Sequence, residues 1–276
     1  MKMTFRILLL IGSFTGQYSM AQQMESLDSI TIKSTRIDLP FKDNSRTISV
    51  ISAEVIEQSP ATNLAELLQQ EAGIDIRRQG VNGMQSDLYI RGGSFDQTLL
   101  LIDGIKVEDP QTGHHTLNIA LPLEVIKRIE IIKGPAARIF GQNAFTGAIN
   151  IVTKSKDNLK NNVSFQLGSF NQQHSSATLG KSLGNTNLMG HASVNSSDGY
   201  RYNTDFNNQN YFLKSSFNTH TNPIDIIATF SERQFGGNQF YAIDAKEQYE
   251  ETQSSLVGIS TSWNRGRLKI SPQLYW

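Results

Sequence analysis

Cysteine is absent from the chain, which excludes a disulfide framework and any metal site built on thiolates. Net charge is absent too: 25 basic side chains are matched by 25 acidic ones, with no block of one sign. That balance argues against the electrostatic footprint of a nucleic-acid-binding protein. No apolar run approaches the roughly 20 residues a membrane-spanning helix requires, so a bilayer could be crossed only by a closed barrel of strands. The chain also lacks a G-x-S-x-G elbow, an H-E-x-x-H pair and a P-loop. Its carboxylates are scattered without an acid–base pairing, so an enzyme is not expected and no cofactor is called for.

What is present begins with an address. Lys2 and Arg6 precede the apolar stretch Ile7 to Ile11, and the small-residue site Ser19-Met20-Ala21 precedes Gln22. This is the layout of an export signal over residues 1–21. Residues 22–42 are polar and poorly periodic, a flexible lead-in broken by one alternating patch, Asp28-Ser29-Ile30-Thr31-Ile32-Lys33.

Residues 43–154 carry the signals of many short elements. Ile48 to Ile51 alternates as a strand, Ser52 caps a brief helix from Ala53 to Gln58, and Pro60 stops it. Asn63 followed by Glu66 has the spacing of a capping box for a second helix, with Leu64, Leu67 and Leu68 on one face and Gly73 beyond its end. Strands are expected at 74–77 and up to Ile90. The apolar runs Leu99 to Ile102 and Ile105 to Val107 flank Asp103-Gly104, the pair that supplies positive φ angles in a tight hairpin. Pro122 opens a short helix through Ile126, and Ile129 to Ile132 is a further strand. The expectation is an α+β unit with a small mixed sheet and short helices. A doubly wound nucleotide domain is excluded, because the glycines never follow the strand, G-x-G-x-x-G, helix order.

From residue 155 to 276 the texture changes to segments of about ten residues with period-two hydrophobicity, the pattern of transmembrane barrel strands. Strands are expected at 163–170, 174–183, 187–197, 209–219, 223–232, 254–264 and 267–275. Val163, Phe165 and Leu167 share one face, as do Leu188, Ala192 and Val194, and then Tyr211, Leu213 and Phe217. Short connections alternate with long ones at 198–208 and 233–253, as barrel turns and outer loops do. A soluble β-sandwich would alternate in the same way.

A set of punctuation marks decides between them: Ile90-Arg91-Gly92, Leu101-Ile102-Asp103-Gly104, Glu130 to Pro135, and Phe140-Gly141 running into Gly147-Ala148-Ile149-Asn150-Ile151-Val152-Thr153. Their order and spacing resemble the plug domain of TonB-dependent outer-membrane receptors. Within that family, Leu67 to Ile76 and Leu100 to Val107 resemble the cobalamin receptor group most, and siderophore receptors share much of the pattern.

The resemblance implies a plug inside a transmembrane β-barrel of the cell outer membrane, surrounded by its lipids, with the plug and N-terminal segment reaching the periplasm. It implies energy-coupled uptake of a scarce large solute, cobalamin or a ferric siderophore or haem, with the transducer TonB and its partners ExbB and ExbD. Ile30, Thr31, Ile32 and Lys33 look like a TonB box, which binds by strand addition, the alternative being an ordinary edge strand. Arg91 and Lys133 match positions where family plugs present basic side chains to acids of the barrel wall, or else lie at the plug surface. Val81, Asn82, Gly83 and Met84, with Gln111, Thr112, His114 and His115, are the expected outward-facing substrate apices. The adjacent histidines suit a polar loop better than a metal. Asp198, Asp205, Asp244 and Glu247 fall in expected outer loops, where family acids bind calcium, although exposed loop acids are usually just solvated.

Plugged barrels of this kind have about 22 strands, so seven strands ending at Trp276 suggest the truncated N-terminal part of a longer receptor. A non-transporting surface binding protein on the same scaffold, or a non-functional fragment, are the alternatives.

Overall fold

The computed structural model describes residues 31–32, 39–40, 48–80, 84–109, 111–119, 121–136, 140–155, 161–217, 222–266 and 268–276. The export signal, Ile30, Lys33, Val81, Asn82 and Gly83 lie outside the described residues. Two-residue strands β1 (Thr31–Ile32) and β2 (Leu39–Pro40) pair with each other antiparallel.

The first globular section is built from β3 (Ile48–Ser52), α1 (Ala53–Gln58), α2 (Leu64–Gln69), β4 (Ile74–Gln79), β5 (Gln85–Ile90), β6 (Thr98–Ile102), β7 (Ile105–Val107), β8 (Ile126–Lys133) and β9 (Gly147–Thr153). Ser52 Oγ accepts a hydrogen bond from the Val55 amide and Asn63 Oδ1 accepts one from the Glu66 amide, so both helices start where capping side chains stand. Glu66 does not complete the box through Asn63; it accepts from the Thr62 amide and hydroxyl one residue earlier. The expected helix after Pro122 is a single 3-10 turn, Leu123–Val125, because β8 already begins at Ile126.

Five strands form a mixed sheet in the order β3-β8-β9-β6-β7, with β6 and β9 parallel and the other pairs antiparallel. β6 and β9 are buried along their whole length, which is why both are mainly apolar, with Asn150 of β9 as a buried polar exception. β4 and β5 form a separate hairpin whose inward residues, with Leu67 and Leu68 of α2, close the core.

The second section is an antiparallel wall: β10 (Asn162–Gly168), β11 (Gln172–Leu183), β12 (Thr186–Ser197), β13 (Phe206–Phe217), β14 (Ile224–Gly236) and β15 (Tyr249–Thr261). The expected strand 267–275 is split. β16 (Trp263–Arg265) and β17 (Leu268–Ile270) make a small hairpin, with Gly266 at positive φ, and only β18 (Gln273–Tyr275) joins the wall beside β15. The seven strands do not close on themselves among the described residues.

Alternation along the wall separates two chemistries. Val163, Phe165, Leu167, Leu179, Leu213, Phe230 and Val257 are exposed on the outer face. The inner face is polar in consecutive cross-strand rows: His174, Asn195, Asn208 and Arg233 in one, Ser176, Ser193, Asn210 and Ser231 in the next. Apolar side outward and polar side inward is the inverse of a soluble domain and the arrangement of a transmembrane barrel. No described helix is long and apolar enough to cross a membrane.

Residues Thr31–Trp276 form one unit, and the core of the first section continues into the wall through Met189, Phe212 and Ile227. Gly258 makes room for this docking, since a Cβ there would stand 2.5 Å from Ile105 Cδ1.

Candidate functional site

Polar contacts join the plug-like section to the wall at several places, and two of them involve the Asp103 turn and the Tyr241 loop. At the first, Asp103 (φ 49°) and Gly104 (φ 84°) form the turn between β6 and β7, both with the left-handed geometry of a type I′ hairpin. β9 locks this turn. The Gly104 amide donates to Asn150 Oδ1 at 2.9 Å, and the Thr153 amide donates to Asp103 Oδ1 at 3.0 Å. Asn150 is itself held by Glu130, whose buried carboxylate pairs with Arg128.

Into this turn reaches Lys214 of β13, whose Nζ donates to Asp103 Oδ2 at 2.8 Å and to Thr153 Oγ1 at 2.6 Å. Its side chain is 9% exposed and that of Asp103 12%. Burial works to raise the Asp103 carboxyl, but the Lys214 ammonium and the hydrogen bonds from Lys214 and Thr153 outweigh it and hold the group below its ordinary value of 3.8. Lys214 thus clasps the hairpin tip and the end of β9 at once, where the chain leaves the plug-like section for the wall.

The second place lies at the other end of the strands. Met84, expected at an exposed apex, is 2% exposed and packs against Phe206 and Phe235 of the wall and Phe240 of the loop 237–248. A flexible thioether among rings is a favourable filler, so burial wins over exposure here. Tyr241 of the same loop has its hydroxyl 2.7 Å from Gln85 Oε1 and 2.8 Å from Glu250 Oε1. One phenol carries one proton, so it donates to Glu250 and accepts a hydrogen bond from a Gln85 amide turned to present its NH2. Burial, then Glu250, push the Tyr241 hydroxyl well above its ordinary value.

His115 sits beside this contact, with Nδ1 3.8 Å from Asp109 and Nε2 3.8 Å from Glu250. His114 points elsewhere, its Nδ1 2.7 Å from Asp87 and its ring against Phe95. The two neighbouring histidines therefore do not converge. Gln111 and His115 line a cavity of about 660 Å³ between the plug-like section and the inner wall, together with Lys106, Glu108 and Asp109. Thr112 instead caps the turn that carries the histidines.

Among the described residues Lys133 is held within the plug-like section: its Nζ donates to Glu71 Oε1 at 2.7 Å, because β8 places it under the turn after α2. Arg91, at positive φ, is exposed beside Gly134. Among the described residues the plug-to-wall ion pair built on a lysine is Asp103 with Lys214. Among the described residues no group of three or more metal-ligating side chains gathers at Asp198, Asp205, Asp244 and Glu247. Glu247 accepts a hydrogen bond from Tyr202, and the loops 198–205 and 237–248 are tied by their own polar contacts, with Asn203 Nδ2 donating to the carbonyls of Lys246 and Gln248.

A family model described as the TonB-dependent receptor plug domain matches residues 40–148, the span that contains the clasped hairpin and the buried sheet. Residues 40–148 form a TonB-dependent receptor plug domain. It is 32% identical over 182 residues to the vitamin B12 transporter BtuB of Vibrio cholerae serotype O1, covering 66% of this chain and 30% of that protein. Against BtuB of Vibrio vulnificus it is 29% identical over 266 residues, 93% of this chain and 43% of the relative. The chain therefore spans less than half the length of these curated relatives. Its fold is similar to that of the pyoverdine outer membrane receptor FpvA from Pseudomonas aeruginosa, with TM-score 0.72, 18% identity and coverage of 91% of this chain and 40% of that one. The siderophore receptor PiuA from Acinetobacter baumannii gives TM-score 0.66 at 17% identity, over 86% of this chain and 37% of that one.

Sequence reasoning missed Asp103, Lys214, Tyr241 and Glu250 as contacts between the plug-like section and the wall. One signal was available. Lys214 occupies an inward position of a strand whose neighbouring inward side chains are Phe212 and Ser216, so a lone cation there asks for a partner.

Proposed function

We propose that this chain is part of an outer-membrane receptor that takes up a scarce large solute by energy-coupled transport, with cobalamin or a ferric siderophore as the cargo class. The observation that carries it is the docking of a separate, internally complete section onto the polar inner face of a wall whose outer face is apolar. Such a section blocks the lumen at rest, so solute passes only when it moves. The outer membrane has no nucleotide or ion gradient to drive that motion, and the work is supplied from the inner membrane through TonB with ExbB and ExbD. The segment Ile30 to Lys33 is the handle, gripped through its main chain. The backbone of Thr31 and Ile32 is already extended and paired with Leu39 and Pro40, so a partner strand must exchange with that pairing or add beside it.

Solute docks above the plug, where Gln111 and His115 border the larger cavity and the tied outer loops stand over Met84. The relatives named as vitamin B12 transporters favour a corrinoid, and the siderophore receptors of like fold keep a ferric chelate open. Deleting residues 30–33 from the full-length receptor tests the proposal. Accumulation of the solute is expected to vanish while binding at the cell surface persists. Uptake that survives the deletion rules out energised transport by this route and leaves a surface binding protein.

A further inference from the structure

We propose that the narrow cavity between plug residues Leu117, Ile119 and Leu121 to Glu124 and the inner wall is a binding site for an oxyanion group, a phosphate or a carboxylate, centred on Arg233 and His191. The cavity measures about 120 Å³ and is bordered by His174, His191, Asn195, Asn208 and Arg233 from four adjacent strands and by Glu124 from the plug. Its lining holds an unusual density of buried polar atoms without a partner: Arg233 Nε, His191 Nε2, Asn195 Oδ1 and Asn208 Oδ1. His191 is 4% exposed and Asn208 7%. Unpaired polar groups at that depth are costly, and four of them around one space indicate that something fills it.

The donors set the sign of the occupant. Arg233 makes one hydrogen bond, from Nη1 to Asn118 Oδ1 at 3.1 Å, and has no ion pair among the described residues. A guanidinium is always charged and presents five donors in a planar fork. His191 Nδ1 lies 2.8 Å from Thr178 Oγ1; when that hydroxyl donates, Nε2 carries the proton and aims a second donor into the cavity. The amides of Asn195 and Asn208 can turn their NH2 groups inward, for Asn208 at the loss of only a 3.6 Å contact to Met84 Sδ.

Among the described residues no carboxylate forms an ion pair with Arg233, and the strands on either side of it, β13 and β15, are both in place. Glu124 is the one carboxylate in the lining, and it interacts with His191. The arrangement thus leaves the Arg233 charge unmatched beside hydrogen-bond donors, which is the recipe for a planar or tetrahedral oxyanion.

The occupant could come from free phosphate or from an anionic group on the transported solute, in which case the site would be a station on the route and would rest on the receptor function proposed above. Two arms separate these. In the first, the full-length receptor is crystallised with selenate, whose anomalous scattering marks an oxyanion. A peak within hydrogen-bond distance of Arg233 Nε, lost in Arg233→Gln, assigns a free anion. In the second, energised uptake of an anionic ferric catecholate and of neutral cyanocobalamin is compared in cells. With no selenate peak, a drop of roughly tenfold for the ferric chelate alone in Arg233→Gln, the scale of one lost hydrogen bond to a charge, assigns the solute's own group. Arg233→Lys, which keeps the charge but not the fork, should fall between. Water alone in the cavity, with both solutes unaffected or equally reduced by Arg233→Gln, overturns the proposal. If the wild-type receptor accumulates neither solute, the transport function fails by itself, and the selenate arm alone then decides the site, with an absent peak overturning it.

Discussion

Replacing Lys214 with Met should loosen the plug at one defined point. The methionine keeps most of the apolar stem of the side chain but removes two hydrogen bonds, to Asp103 Oδ2 and Thr153 Oγ1, and the ammonium paired with the Asp103 carboxylate. Breaking a buried pair from one side costs about 3–5 kcal/mol, which raises the population in which the hairpin tip is free by on the order of 10²–10³. Hydrogen exchange of the full-length receptor reads this directly, because the Asp103 amide donates to the Ile151 carbonyl and the Thr153 amide to Asp103 itself. Both amides should exchange faster in Lys214→Met by about that factor, while amides of β4 and β5 stay unchanged. The double variant Asp103→Asn with Lys214→Met removes the charge along with its partner and should recover much of the protection. Wild-type exchange in Lys214→Met, or a double variant no better than the single, would refute the clasp. In the native protein the Asp103 carboxyl is held below 3.8, so its contribution is complete above that value and is lost only as pH falls through the lowered one. Protection at Thr153, corrected for intrinsic exchange, should therefore be flat between about pH 5 and 8.

Leu213→Arg places a charge on the outer face of the wall, where this leucine is 54% exposed; near the bilayer midplane such a change costs roughly 2–4 kcal/mol, and folded receptor recovered from outer membranes should drop, whereas normal yields would contradict the face assignment. Gly258→Ala puts a Cβ 2.5 Å from Ile105 Cδ1 and should unseat the β6–β7 hairpin, visible as faster exchange at Asp103. Trimming the partner in Gly258→Ala with Ile105→Ala should restore part of the loss, and no restoration would place the strain elsewhere.

Local chemistry was the legible part of the sequence. Asp103-Gly104 read as a tight turn because few residue pairs accept two positive φ angles, and Asn63 read as a cap because its side chain answers an amide three residues on. Alternation in 163–232 likewise separated the two faces of the wall, since a period of two is imposed by the pleat whatever the strand later touches. Contacts set by tertiary packing were not legible. Lys214 and Asp103 are 111 residues apart, and no periodicity connects them. Lys133 matched a motif position yet found Glu71, and Met84 looked like loop yet filled an aromatic hollow, because each outcome depends on which neighbours the fold supplies. The expected strand 267–275 divides at Ser271-Pro272, between β17 and β18, where proline has no backbone N–H to give a ladder.

The order of the five-stranded sheet also fixes where it can come apart. β9, which continues toward the wall, lies in the middle with strands on both sides, whereas β3, next after the N-terminal lead, is an edge strand bonded only to β8. Tension arriving from the N-terminus therefore meets the outermost strand first and can unzip it one residue pair at a time, while the tethered centre stays put. A passage could open beside such a remnant and shut again by re-adding one edge strand, without the stopper ever leaving its housing.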